Sequence, residues 1–251
     1  MLAGVRLRVV SWNIHRAIGV DRRFRPERVV SILDYYAPDV VMLQEVDDGA
    51  PRSRGLDIGM ELARALGYEH YAIGHNVTLR KGRYGNATLS RWPILRERNI
   101  DLTIGFLRRR GCQHTRIAVK GAAGRTKPLE VFNLHLGLSA RERERQVTLL
   151  ARSREFAALP FGTPTIVAGD YNDWRSLLRP FFVDMLGFRS ATGGNVEREQ
   201  AIATFPSFFP QVALDRIYYR GPLHLAAARR CRLALSRVAS DHLPVIADFD
   251  L

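Results

Sequence analysis

The chain has 251 residues, 46% of them hydrophobic and 25% charged, enough for one large domain with a buried core and too few for two ordinary domains and a linker. Its formal net charge of +13 suits a polyanionic partner; yet only Lys81, Lys120 and Lys127 are lysines among 38 basic residues, a bias that genome composition produces as readily as binding does. Cys112 and Cys231 alone give no basis for a disulfide framework, Met1–Arg8 runs into the first strand without a signal-peptide core, and no apolar run approaches the roughly 20 residues of a bilayer span, so a cytoplasmic location is expected.

The first apolar run, Val9-Val10-Ser11-Trp12, closes on Asn13. Pro26-Glu27 then opens a helix in which Val29, Ile32, Leu33 and Tyr36 form one apolar stripe, stopped by Pro38. The strand Val40–Leu43 follows and ends in Gln44-Glu45. Asp57 is expected to cap a second helix with Ile58, Leu62, Ala65 and Leu66 turned inward and Gly67 at its end. Strands are predicted near residues 68–73, 86–90, 116–119 and 129–134, the last running into His135. Ser139 with Glu142 reads as a capping box for a long helix, whose Arg141–Arg145 run reads as a solvated, salt-bridged face. The Arg108-Arg109-Arg110-Gly111 segment reads as a solvated turn rather than a substrate loop. This alternating plan leaves a parallel sheet open; two similar halves fit two packed sheets with helices outside.

The most informative segment is Gly169-Asp170-Tyr171-Asn172-Asp173, after the buried-strand pattern Thr165–Ala168. Asp170 offers a carboxylate, and Asn172, two residues on, offers both a donor and an acceptor on the same side. That pairing suits a reaction in which water loses a proton while a neighbouring oxyanion is held, although a plain turn uses the same residues. Similar polar strand ends recur at Asn13, Glu45, His135, Asp215 and Asp241-His242, which suggests convergence on one sheet edge. A carboxylate leaving an apolar strand, as Glu45 does, must be ion-paired or metal-bound, and oxygen donors without a Cys/His set favour Mg²⁺ or Mn²⁺. His242 needs an orienting partner, which Asp215 can supply.

Taken in order, Trp12-Asn13, Leu43-Gln44-Glu45-Val46, Tyr84-Gly85-Asn86, Asn133-Leu134-His135-Leu136, Gly169–Asn172, Leu214–Ile217 and Ser240–Pro244 resemble the endonuclease/exonuclease/phosphatase superfamily of metal-dependent phosphoesterases. The resemblance spans residues 7–249 and implies a four-layered α/β sandwich: two packed sheets, mixed or antiparallel, flanked by helices, with the site at one edge. It also implies Glu45 as the metal ligand, supported by Asn13 and Asp241. His15 departs from relatives that carry an acidic residue two positions after this Asn. Asp170 would position or deprotonate the attacking water, and Asn172 would hold a phosphate oxygen. His135 would donate to developing negative charge, and His242 with Asp215 would act at the scissile phosphate. Asn86 would shape the site through its neighbours, and Arg116 would clamp phosphate or pair with an acidic residue.

The expected reaction is in-line attack by water on a phosphodiester, with nucleic acid favoured as substrate on charge and an anionic phospholipid, sphingomyelin-type lipid or inositol phosphate as the alternative. A binding protein that has lost turnover is the competing class. The retained polar set argues against it, neither cysteine lies in a recognised motif, and no Gly-x-Ser-x-Gly elbow supplies a serine nucleophile. Nothing in the sequence calls for an obligate protein partner.

Overall fold

The computed structural model describes residues 5–121, 124, 126–193 and 201–251. In chain order the strands are β1 (Arg6–Asn13), β2 (Val40–Asp48), β3 (His70–Thr78), β4 (Arg83–Ser90), β5 (Ile94–Asp101), β6 (Gly111–Lys120), β7 (Thr126–His135), β8 (Thr165–Asp170), β9 (Arg189–Ser190), β10 (Asp215–Arg220), β11 (His224–Arg230) and β12 (Val245–Asp250). The helices are α1 (Pro26–Tyr36), α2 (Ile58–Ala65), α3 (Ala140–Arg152), α4 (Arg154–Ala157) and α5 (Ser236–Ala239). Two six-stranded sheets form, in the orders β11-β12-β1-β2-β4-β3 and β5-β6-β7-β8-β10-β9. Within each, one central pair is parallel, β1 with β2 and β7 with β8, and the other pairs are antiparallel. The two parallel pairs are each joined through a long helix, α1 or α3, because a parallel return needs a crossover.

Three apolar clusters separate four layers. Val10, Trp12, Val41 and Leu43 pack with Val29, Ile32 and Leu62 of α1 and α2. Leu7, Val9, Val40 and Met42 meet Val131, Ile166 and Ile217 between the sheets. Phe132, Leu134 and Val167 pack under Val147, Leu150 and Phe156 of α3 and α4. The central strands are buried on both faces, which is why they read as continuous apolar runs. This is the expected sandwich, and its sheets are mixed.

Several local expectations hold and several shift. In α1, Val29, Ile32 and Leu33 are buried, and the helix ends at Ala37 in the left-handed region (φ 44), one residue before Pro38. Asp57 caps α2 through the Met60 N–H at 3.0 Å, but Ala63, not Ala65, turns inward. Ser139 caps α3 by accepting from the Glu142 N–H at 3.2 Å, yet the box is one-sided. The Glu142 carboxylate accepts instead from Gln146, whose own carbonyl oxygen accepts from the Gly137 N–H. Nor is the Arg141–Arg145 run wholly solvated: Glu142 and Arg143 are buried, and Arg143 donates to the Leu138 carbonyl and faces Asp173 at 3.5 Å.

Side-chain alternation builds the site. On the faces that meet between the sheets, each central strand is apolar at one end and polar at the other. The series Leu7, Val9, Ser11, Asn13 is matched by Leu129, Val131, Asn133, His135, by Ile166, Ala168, Asp170, and, with the chain reversed, by Tyr219, Ile217, Asp215. Just behind the polar ends, buried amides tie the sheets together. Asn133 Nδ2 donates to the Leu43 and Ala87 carbonyls at 3.0 Å, and its Oδ1 accepts from Gln44 at 2.7 Å. Asn86 Nδ2 donates to the Asn133 carbonyl at 3.0 Å and to the Gly111 carbonyl at 3.3 Å. Asn133→Leu strands two backbone carbonyls and an amide in the interior, so stability is expected to fall by ~2–4 kcal/mol. A urea melt reads this as a lower midpoint at an unchanged slope.

Candidate active site

Asp170 closes β8 beside His135, the last residue of β7, and opposite Asp215, the first residue of β10. Gly169 makes this possible: at φ 148 it lies so close to β7 that any Cβ would overlap the Leu134 carbonyl. The Asp170 carboxylate is buried and tethered at both oxygens. Oδ1 accepts from the Asn172 N–H at 2.9 Å, and Oδ2 accepts from Asn13 Nδ2 at 3.1 Å. Two imidazoles stand nearby, His135 Nε2 at 3.5 Å and His242 Nε2 at 3.7 Å from Oδ2. Burial raises the Asp170 carboxyl to about 6; Asp215 adds to the rise, while His242 and the tethering donors oppose it.

His242 belongs to a relay. Its Nδ1 lies 2.9 Å from Asp215 Oδ2, which also accepts from the Thr204 hydroxyl. The backbone is pinned by Trp12 Nε1, which donates to the His242 carbonyl at 2.9 Å, and the Phe205 ring lies 5.0 Å from the imidazole. Burial works against the imidazolium, but the carboxylates of Asp215 and Asp170 together outweigh it and raise His242 to about 10. It is therefore a cationic donor, better suited to stabilising a phosphate than to taking a proton. His135 is the opposite case. Burial first, then the charges of Arg110, His242 and Arg108, hold it well below the usual histidine range, so it is neutral.

The first sheet supplies the oxygen donors. Glu45 sits in a break of the β2–β4 register with φ 57, an irregularity that re-aims its side chain at the strand end. Its Oε2 is buried without a hydrogen-bond partner, and the nearest cation, Arg16 Nε, lies 3.5 Å away and is itself unpartnered. Arg16 reaches it from a turn whose three residues, His15, Arg16 and Ala17, all have left-handed backbone (φ 46, 62 and 57). His15 does not replace the acidic residue of the relatives: its Nδ1 turns back to the Ile18 carbonyl at 3.0 Å. Asn13 pairs with Gln44, the residue before Glu45, across β1 and β2, and Ser240, hydrogen-bonded to the Asn13 carbonyl at 2.7 Å, brings Asp241 near Asn13.

A buried carboxylate oxygen without a partner, in an oxygen-donor setting, fits a hard divalent cation. Asp170, Asp215 and His242 also offer ligand atoms within 4.8 Å of one another, and Asp215 Oδ1 is buried and unpartnered. In that cluster, however, His242 Nδ1 and Asp215 Oδ2 already bind each other. At the Glu45 corner the donor oxygen Oε2 is not engaged in an internal hydrogen bond, which makes it the better donor set.

Of the residues singled out in the sequence, Asn13, Glu45, His135, Asp170, Asn172, Asp215, Asp241 and His242 all lie at this edge. Asn172, left-handed at φ 50, donates Nδ2 to the Leu136 carbonyl at 2.9 Å and so spans the ends of β7 and β8. Asn86 lies behind the edge as an inter-sheet tie. Arg116 is not brought to the site. It stands mid-strand on β6, five positions from Gly111, and donates to Glu130 at 2.6 Å, whose other oxygen meets His114 at 2.6 Å. The arginine segment is solvated only in part: Arg108 and Arg109 are exposed as expected, whereas Arg110 is buried, and the charges of Arg110 and Arg108 act on His135. Sequence reasoning missed Arg16 and Thr204, since a lone Arg and a lone Thr in irregular loops carry no periodic signal.

The model of the Endonuclease/Exonuclease/phosphatase family matches residues 10–242. The YbhP protein of Escherichia coli (strain K12) is 32% identical over 256 residues, covering 97% of this chain and 96% of that protein. Among solved structures, an endonuclease/exonuclease/phosphatase from Beutenbergia cavernae DSM 12333 superposes with a TM-score of 0.79 at 22% identity, over 98% of this chain and 72% of that one. The Bacteroides thetaiotaomicron VPI-5482 mannosyl-6-phosphatase Bt3783 superposes with a TM-score of 0.74 at 18% identity, over 98% of this chain and all (100%) of that one. Those two likenesses establish the fold; the family-model match and the full-length YbhP relative establish kinship, and the chain belongs to the Endonuclease/Exonuclease/phosphatase family.

Proposed function

We propose that this chain hydrolyses a phosphodiester by direct in-line attack of water, with Mg²⁺ or Mn²⁺ as cofactor. The observation that carries the reading is Asp170 itself: a buried carboxylate tethered at both oxygens, raised to about 6, and set beside a cationic imidazole. A base with its pKa near the working pH is ionised yet still takes a proton well. Asp170 accepts the proton of the attacking water. His242, held by Asp215, donates Nε2–H to a non-bridging phosphate oxygen as negative charge builds. Neutral His135 and the second amide hydrogen of Asn172 supply further donors from β7 and β8. Glu45, with Asn13 and Asp241, would hold the divalent ion, which when bound stabilises negative charge on the phosphate.

Arginine-rich charge favours a polyanionic substrate without choosing between nucleic acid and phospholipid. Among the described residues no helix is long and apolar enough to cross a membrane. The test of the chemistry needs no natural substrate. Purified protein is expected to cleave bis(p-nitrophenyl) phosphate with Mg²⁺ or Mn²⁺ and to stop when chelator is added. Undiminished cleavage after thorough demetallation, or none with either ion, refutes the assignment.

A further inference from the structure

The site lies among loops that expose large apolar side chains. The β5–β6 loop carries Phe106 and Leu107, the β7–α3 turn Leu138, the segment after β8 Trp174, and the segment before β10 Phe208 and Phe209, all exposed. Each segment adjoins a strand end at the site edge: β6 begins at Gly111 beside the end of β7, which closes on His135; β8 closes on Asp170; and β10 opens on Asp215. At the opposite edge Phe161 is the exposed loop residue of this kind among those described, with Tyr35, Tyr71 and Leu95 exposed near the ends of α1, β3 and β5. Six such residues on the loops of the site edge still exceed the single scattered exposure usual on a protein surface.

Cations accompany these tips. Exposed Arg108 and Arg109 follow Phe106 and Leu107, and the Arg175 guanidinium lies 4.4 Å from the centre of the Trp174 ring. A groove joins Leu107 to Arg141 and Arg145 of α3. Apolar tips backed by guanidinium groups match a lipid surface, where acyl chains begin just below a layer of phosphates. Phe106, Trp174, Phe208 and Phe209 are rings on which bases also stack, so single-stranded nucleic acid is the competing occupant; Leu107 and Leu138, which offer no flat face, favour the lipid.

We propose that these loop tips dock the protein on an anionic phospholipid bilayer, with the site mouth facing a head-group phosphodiester. The location of the substrate rests on the phosphoesterase reading; the docking itself does not, and is measured without turnover. Chelator-treated full-length protein is sedimented with phosphatidylcholine vesicles, either pure or containing about one third phosphatidylglycerol. The protein is expected to pellet with the mixed vesicles only. The pair Phe106→Ser and Leu107→Ser, and separately Phe208→Ser and Phe209→Ser, should each cut partition by at least ~10-fold, since apolar contact is lost while charge is kept. Both pairs should still hydrolyse bis(p-nitrophenyl) phosphate as the wild type does, and absence of that hydrolysis in every protein would count against the chemistry alone. Protein that stays in the supernatant with both vesicle types overturns the proposal. So does vesicle binding that ignores both serine pairs, or binding to a single-stranded oligonucleotide, but not to vesicles, that the serine pairs weaken.

Discussion

Asp170→Asn is expected to slow the chemical step by ~10²–10⁴-fold, the range for removing a positioned general base. The amide is nearly the same shape and can still accept from the Asn172 N–H, but its nitrogen cannot accept from Asn13 Nδ2 and it cannot take a proton from water. His242→Ala should cost at least ~10²-fold if, as proposed, its Nε2–H stabilises the phosphate. The double variant should lose less than the product of the single losses if both groups act on one water and one phosphate. Single-turnover rates in saturating metal give all three values, and near wild-type turnover in either single variant would show that its residue is misassigned. Stability separates a catalytic from a structural role. Burial raises the Asp170 carboxyl from 3.8 to about 6, so between those values the folded chain holds a proton that the unfolded chain has released. The ionised carboxylate therefore costs stability that is absent at low pH and grows as pH rises through about 6. Metal-free Asp170→Asn is expected to melt no lower than wild type at neutral pH, although its turnover collapses. A markedly lower melting temperature would mean that the Asp170 tethers serve the fold rather than the reaction.

Glu45→Gln is expected to weaken Mn²⁺ binding and to cost ~10²–10³-fold in turnover at limiting metal, equivalent to several kcal/mol of transition-state charge stabilisation. The Oε2 oxygen is buried and unpartnered; its nearest cation among the described residues is Arg16 Nε at 3.5 Å, with the Arg52 charge and the Tyr84 hydroxyl also acting on the carboxyl, and none of these closes on Oε2 as a bound cation would. Calorimetric titration of metal-free protein reads the affinity directly, without reference to activity. A second measurement guards against misfolding: wild type should gain melting temperature on Mn²⁺ addition, and the variant should gain much less. Unchanged Mn²⁺ affinity would move the ion away from the Glu45 corner, and the cluster of Asp170, Asp215 and His242 would be the next place to seek it.

Particular residues show how far the sequence reaches. The apolar runs at Val9, Val40, Val131 and Ile166 determined the central strands, because burial on both faces leaves no polar alternation to confuse. Of the four edge strands, β5 and β11 were not legible: Ile94–Asp101 and His224–Arg230 bury little, so backbone pairing rather than an apolar face holds them. Side-chain parity also lies in the sequence, and it sends Asn13, His135 and Asp170 to one face at matching strand ends. For Arg116 parity was insufficient. A basic residue on a strand says nothing of how far along that strand the site lies, and the register with Glu130 decides it. Only the tertiary structure placed Thr204 on Asp215, Arg16 on Glu45, Arg110 near His135 and the apolar loop tips around one mouth. Those placements depend on irregular backbone, such as the left-handed turn at His15–Ala17 and the register break at Glu45. The strand and helix periods in the chain cannot encode such turns, since their conformation is set by what packs around them.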